Sequence, residues 1–193
     1  MIIDMPPAGP PRPMRWACKL GSAVADHGFF EGRRTCLIDR QLYEEGPEPP
    51  AHCCSRGLVA EVFRTAFAGC HLWQRCSLVL GDDTNPVPDV AVVPGPLTDY
   101  RTRHPTSAVF VVEIADLSLD FDTTVKAELY AAAGVPDYWV VDLVNRQVLV
   151  FRDPNPGGTR GATYQFRLTV GPGDTVTPLA LPGVAVAVAD LLP

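Results

Sequence analysis

Residues 108–130 read AVFVVEIADLSLDFDTTVKAELY, and the fold turns on how this stretch is understood. Its first eight residues form an apolar, largely β-branched run that carries one carboxylate, Glu113. A strand with apolar residues on both faces belongs at the covered centre of a sheet, where an acid is costly unless a cation, a metal or several donors meet it. Glu113 is therefore either paired or functional. The chain then loops into a helix that carries Lys126; Asp120 or Asp122 caps it, and it runs through Ala133 to stop at Gly134, with Pro136 just beyond. Upstream, residues 87–93 (VPDVAVV) repeat the design, with Asp89 at the front of an apolar strand. Two strand-borne carboxylates with a lysine nearby are a recurrent means of holding a divalent cation and activating a water beside it.

Outward from this centre, β-type residues bounded by turn formers predict strands at 72–80, 137–142 and 147–152, with weaker ones at 163–169 and 175–178. A tight turn at 144–146 makes 137–152 an antiparallel hairpin, whose apolar surface could serve a two-fold dimer. A second hairpin is expected at 35–39 and 41–44 around Asp39-Arg40. Residues 51–68 read as an amphipathic helix with Leu58, Val62 and Phe63 on one face. Residues 14–26 read as a short helix, and the Pro-rich 1–13 as a flexible segment. This order predicts one α/β (α+β) domain over 14–193, a mixed sheet flanked by helices.

The formal charge of −6 gives no basic footprint for tight, salt-dependent nucleic-acid binding. An enzyme that meets phosphates through a bound metal remains compatible with it, and Arg101, Arg103 and His104 could add a local basic patch. No apolar run approaches the roughly 20 residues of a membrane span. The opening MIIDMPPAGPPRP lacks a basic-then-apolar secretory pattern, so a cytoplasmic protein without membrane contact is expected. The six cysteines, at 18, 36, 53, 54, 70 and 76, contain no C-x-x-C pair; reduced thiols are expected, and no zinc site.

Magnesium prefers octahedral oxygen ligation and keeps several waters, so one or two carboxylates and a substrate phosphate suffice. Asp89 and Glu113 supply that number, the carbonyl of Ile114 can add a third oxygen, and Lys126 can approach from the helix to orient water or stabilise charge on the phosphate. Each residue also has a plainer reading. Asp89 can be a strand-start acid, Glu113 an ion-pair partner of Arg101 or Arg152, and Lys126 a partner of Asp122 on a solvated helix face. His52 reads as a capping or packing residue rather than a ligand. Tyr130, Tyr138 and Trp139 read as core, with Tyr130 able to hydrogen-bond a carboxylate. Ser118 and His104 form no nucleophilic triad at a recognisable spacing.

The ordered set Pro88-Asp89, Glu113, Asp122 through Lys126 to Tyr130-Ala131, and GVPDYWVVD from Gly134 to Asp142 resembles the Uma-two family of restriction endonucleases, a branch of the PD-(D/E)XK superfamily. The segment GRRTCLIDRQLYE, His52 and, more weakly, the tail LPGVAVAVADLL extend the resemblance. It implies a restriction-endonuclease-like fold and a Mg²⁺-dependent (or Mn²⁺-dependent) nuclease acting on nucleic acid, chiefly DNA, as a homodimer. In that reading Asp89 and Glu113 hold the metal and Lys126 is the catalytic lysine, although the superfamily's usual lysine position is Ala115 here. Cys36 replaces a common glutamate, Arg40 the usual turn glycine, and ADLSLDF the usual Ser-Pro-Ser loop. The alternative is an inactive scaffold of the same fold that binds nucleic acid or dimerises.

Overall fold

The structure is a computed structural model that describes residues 33–157 and 161–193; the helix expected at 14–26 and the segment 1–13 lie outside the described residues. The chain enters through an antiparallel hairpin of β1 (Arg34–Ile38) and β2 (Gln41–Glu45). Its two-residue turn places Asp39 and Arg40 at positive φ, 45° and 64°. Arg40 takes the conformation glycine would adopt freely, and its guanidinium is anchored on Asp83 at 2.9 Å.

Helix α1 (Pro50–Phe63) follows. It is shorter than the expected 51–68, and its buried line is His52, Ser55, Val59, Ala60 and Phe63. Leu58 is only half-buried, at the margin of that face.

The central sheet has the order β3 (Cys70–Gln74), β4 (Val90–Pro94), β5 (Phe110–Ala115), β6 (Asp137–Asp142), β7 (Gln147–Asn155), β8 (Thr163–Val170). The strand expected over 72–80 ends early: Arg75, at φ 48°, turns the chain away from β4, and Trp73 Nε1 donates to the Ser77 carbonyl across the bend. Only β5 and β6 pair in parallel among these strands. A parallel pair needs a crossover, and the helical segment 119–132 supplies it. We call it α2: Leu119–Phe121, a π-helical turn at Asp122–Lys126, then Ala127–Ala132. It ends as expected, with Gly134 at φ 70° and Val135 N–H donating back to the Tyr130 carbonyl. A short pair, β9 (Thr175–Val176) with β10 (Val186–Ala187), completes the strands.

Alternation along the strands divides the core. Phe110, Val112 and Ile114 join Val59 and Phe63 of α1, with Trp139 packed edge-on against Phe110 at 4.8 Å. Val111 and Ala115 face the other way, with Leu129 and Tyr130 of α2. Both β5 and β6 are buried throughout. The hairpin 137–152 lies within the sheet, flanked by β5 and β8, and Val144 at its turn is exposed. No described helix is long and apolar enough to cross a membrane, and the five cysteines of the described residues are free thiols.

Candidate active site

The register of the β4–β5 pair builds the site. Val90 lies opposite Val112, so one step further Asp89 lies opposite Glu113, both on the face covered by α2. The two acids clasp each other's backbones: Ile114 N–H donates to Asp89 Oδ2 at 2.9 Å, and Asp89 N–H donates to Glu113 Oε2 at 3.2 Å. Ile114 thus enters the site through its peptide N–H.

The helix supplies the cation. Lys126 Nζ is 3.1 Å from Glu113 Oε2 and 3.1 Å from Asp122 Oδ1. The π-helical turn widens the backbone between Asp122 and Lys126, and such turns are frequent at functional sites. One regular turn further, Tyr130 O–H donates to Glu113 Oε1 at 2.7 Å, as its position allowed. Ser118 O–H donates to Asp122 Oδ2 at 2.5 Å, and Tyr138 O–H holds the Asp122 carbonyl at 2.8 Å. Asp122 is only 1% exposed, so the Asp122–Lys126 pair is not on a solvated face, as the plainer reading of Lys126 had it, but is buried and joins the site. Asp122 Oδ1 receives no hydrogen bond, and Lys126 meets it as an ion pair.

Three buried carboxylates therefore surround one ammonium, and the charges respond. Burial pushes Glu113 up to about 8; Lys126 opposes this, and Asp89 and Asp122 reinforce it. Asp122 is raised by burial as well, against the pull of Lys126. Burial disfavours the Lys126 charge, but Glu113, Asp122 and Asp89 outweigh it and hold the ammonium firmly protonated.

Asp89 is different, because its second oxygen faces a basic wall. Burial would raise it, yet the hydrogen bond and charge of His52 bring it below the ordinary carboxylate range. His52 Nε2 lies 3.1 Å from Asp89 Oδ1, and Arg75 Nη1 and Arg56 Nη1 lie 3.6 and 3.8 Å from the same oxygen. His52 therefore caps no helix end: the N-cap is Pro49, and the imidazole packs against the acid. A signal was present, since His52 and Arg56 are four residues apart on one helix, but nothing local tied either to Asp89. Trp139 is core, as expected, and Arg152 belongs to Asp137 rather than to Glu113.

Glu48, His52 and Asp89 also bring three ligand atoms within 4.8 Å of one another. This trio suits a cation poorly. Burial disfavours the charged His52, but Asp89 and Glu48 raise its affinity for a proton, and a metal needs the neutral ring. Glu48 is already enclosed by Arg34, Arg56 and Arg75.

The six-stranded mixed sheet has the fold of a known nuclease-like structure. The chain matches a solved structure from Anabaena variabilis, described as a putative nuclease belonging to DUF820, with a TM-score of 0.66 and 16% identity over 81% of this chain and 88% of that one. The sequence carries the assignment further. The family model Uma2, described as "Putative restriction endonuclease", matches residues 25–189, and the chain belongs to that family. No curated protein matches it.

Proposed function

We propose that the protein is an endonuclease that hydrolyses phosphodiester bonds of nucleic acid, with Mg²⁺ or Mn²⁺ held by Asp89, Glu113 and the Ile114 carbonyl. One observation carries this reading: the β4–β5 register sets two buried acids opposite each other with a single ammonium 3.1 Å from one of them. The donor set fits a hard divalent cation, because it is all oxygen and sits among three buried carboxylates, Asp89, Glu113 and Asp122. A bound cation would supply charge neutralisation and a more acidic water.

The chain's own groups do the rest. Tyr130 O–H fixes the Glu113 carboxylate at Oε1, while Oε2 accepts from Asp89 N–H and meets Lys126. Ile114 N–H fixes Asp89 at Oδ2, and Oδ1 faces His52, Arg75 and Arg56. Lys126, permanently charged, stabilises the phosphate as charge builds on it and orients the attacking water. We further propose duplex DNA as the substrate and a homodimer as the cutting form.

The alternative, an inactive scaffold, draws support from the same network, in which Lys126, Tyr130 and two backbone N–H groups already satisfy most of the acid oxygens. Calorimetric titration of Mn²⁺ into the wild type and Glu113→Gln separates the two. Binding by the wild type that disappears in the variant supports the metal site; an absence of heat in both, together with no Mn²⁺-dependent nicking of plasmid DNA, supports the scaffold.

A further inference from the structure

A cavity of about 580 Å³ opens beside Asp89, and its wall holds four arginines, Arg33, Arg34, Arg56 and Arg75, against two acids, Glu45 and Glu48. In a chain of net charge −6 this is a concentrated basic surface. The arginines come from three separate places: β1 with the residue just before it, α1, and the bend after β3. Three of them converge on one carboxylate. Arg34 Nη1 meets Glu48 Oε1 at 2.5 Å, Arg75 Nε meets the same oxygen at 3.0 Å, and Arg56 Nη1 bonds Oε2. Arg75 holds its left-handed backbone because its N–H donates to the Pro88 and Asp89 carbonyls, which ties its side chain to the strand that presents Asp89. Among the described residues, Arg56 bonds only through Nη1, so its Nε and Nη2 donors remain for a ligand.

We propose that this pocket is the phosphate-binding subsite for the substrate strand, taking the backbone phosphate next to the one being cut, and that Glu48 occupies it until the substrate displaces it. The inference rests on the nuclease reading above. Guanidiniums are suited to phosphate because their planar forks give paired, directed donors. Three forks around one small anion form a phosphate cradle, and a glutamate reaching in from the 46–49 loop is a tethered stand-in. Arg56 and Arg75 also lie within 4 Å of Asp89, so the cradle and the acids share a border and a single strand can span both.

The test is fluorescence anisotropy of a labelled DNA duplex, read across a potassium chloride series with Ca²⁺ in place of Mg²⁺. The proteins are wild type, Arg34→Ala/Arg56→Ala and Glu48→Gln. The double variant is expected to lose at least tenfold in affinity, and its slope of log affinity against log salt should shrink by about one phosphate contact, ~0.9. Glu48→Gln, which keeps the shape and removes the competing charge, is expected to bind several-fold more tightly. An unchanged slope in a folded double variant overturns the proposal, as does unchanged or weaker binding by Glu48→Gln. Should the double variant fail to fold, Glu48→Gln alone decides. Wild type that binds no DNA sinks the nuclease reading together with this one, whereas wild-type binding with unaffected variants sinks the subsite only.

Discussion

Asp137 on β6 and Glu113 on β5 lie in adjacent strands and are equally hidden, each 1% exposed. Their surroundings differ. Asp137 accepts from Arg152 Nε at 2.8 Å, Trp139 Nε1 at 2.9 Å and Leu179 N–H at 2.8 Å, so one carboxylate meets one guanidinium and the charges balance. Glu113 is one of three acids around Lys126, and burial with two like neighbours pushes it up to about 8. Burial of an acid marks expense in both places. Only the unbalanced charge marks a site built to receive something more.

The largest effect expected from this contrast is on catalysis. Glu113→Gln should lower Mg²⁺-dependent cleavage by about 1000-fold, the scale of losing a principal electrostatic contact. Its melting temperature should stay close to that of wild type, because the variant relieves one of three crowded negative charges. Asp137→Asn should do the reverse. It strands a largely buried guanidinium, costing about 2–4 kcal/mol in chemical denaturation, with cleavage per folded molecule unchanged. An active Glu113→Gln, or an inactive Asp137→Asn that melts like wild type, would break the comparison.

The sequence carried one side of this contrast better than the other. The apolar run around Glu113, Asp89 at its strand front and the Gly134 stop were legible because strand and helix signals are local. Lys126 was legible by its place on the helix. The buried state of Asp122 was not, since an acid four residues before a lysine looks the same on a solvated face as inside a π-helical turn. His52, Arg56, Arg75 and Glu48 were hidden for another reason. Their meeting depends on how α1, the 46–49 loop and the bend after β3 close around Asp89, and no spacing along the chain records it. The strand expected at 72–80 shows the same limit: its apolar residues suit a strand, but Arg75 leaves the sheet for the basic wall.

That wall makes a third, smaller effect measurable. Burial raises Glu48, but the hydrogen bonds and charges of Arg56, Arg75 and Arg34 overcome it and depress the carboxyl to about 2. A depressed carboxyl contributes stability that is fully present above its unfolded value near 4.5 and is lost as pH falls toward 2. After allowance for solvent screening the contribution is about 1–2 kcal/mol. Urea denaturation between pH 5 and 2.5 should show a loss in the wild type that is smaller in Glu48→Gln. Equal losses would mean that the arginines gather around Glu48 without binding it tightly, and the contrast between a satisfied basic wall and an unsatisfied acid centre would weaken.

The smallest effect concerns the hairpin that closes over the acid centre. Cys36 of β1 is buried, and burial with the nearby charge of Glu45 pushes its thiol up to about 12, so it stays protonated at neutral pH. Cys53, Cys54 and Cys76 are exposed. Brief treatment of the native protein with an alkylating reagent, followed by peptide mapping, should therefore label these three well before Cys36, by about 100-fold in rate, since thiolate and access both fail at the buried position. Cys36 packs in one buried cluster with Ala127 and Tyr130 of α2, which places β1 against the reacting face. Labelling of Cys36 as fast as Cys53 would mean that the hairpin opens freely, exposing Glu113 to water. The excess of buried negative charge that separates Glu113 from Asp137 would then be screened away.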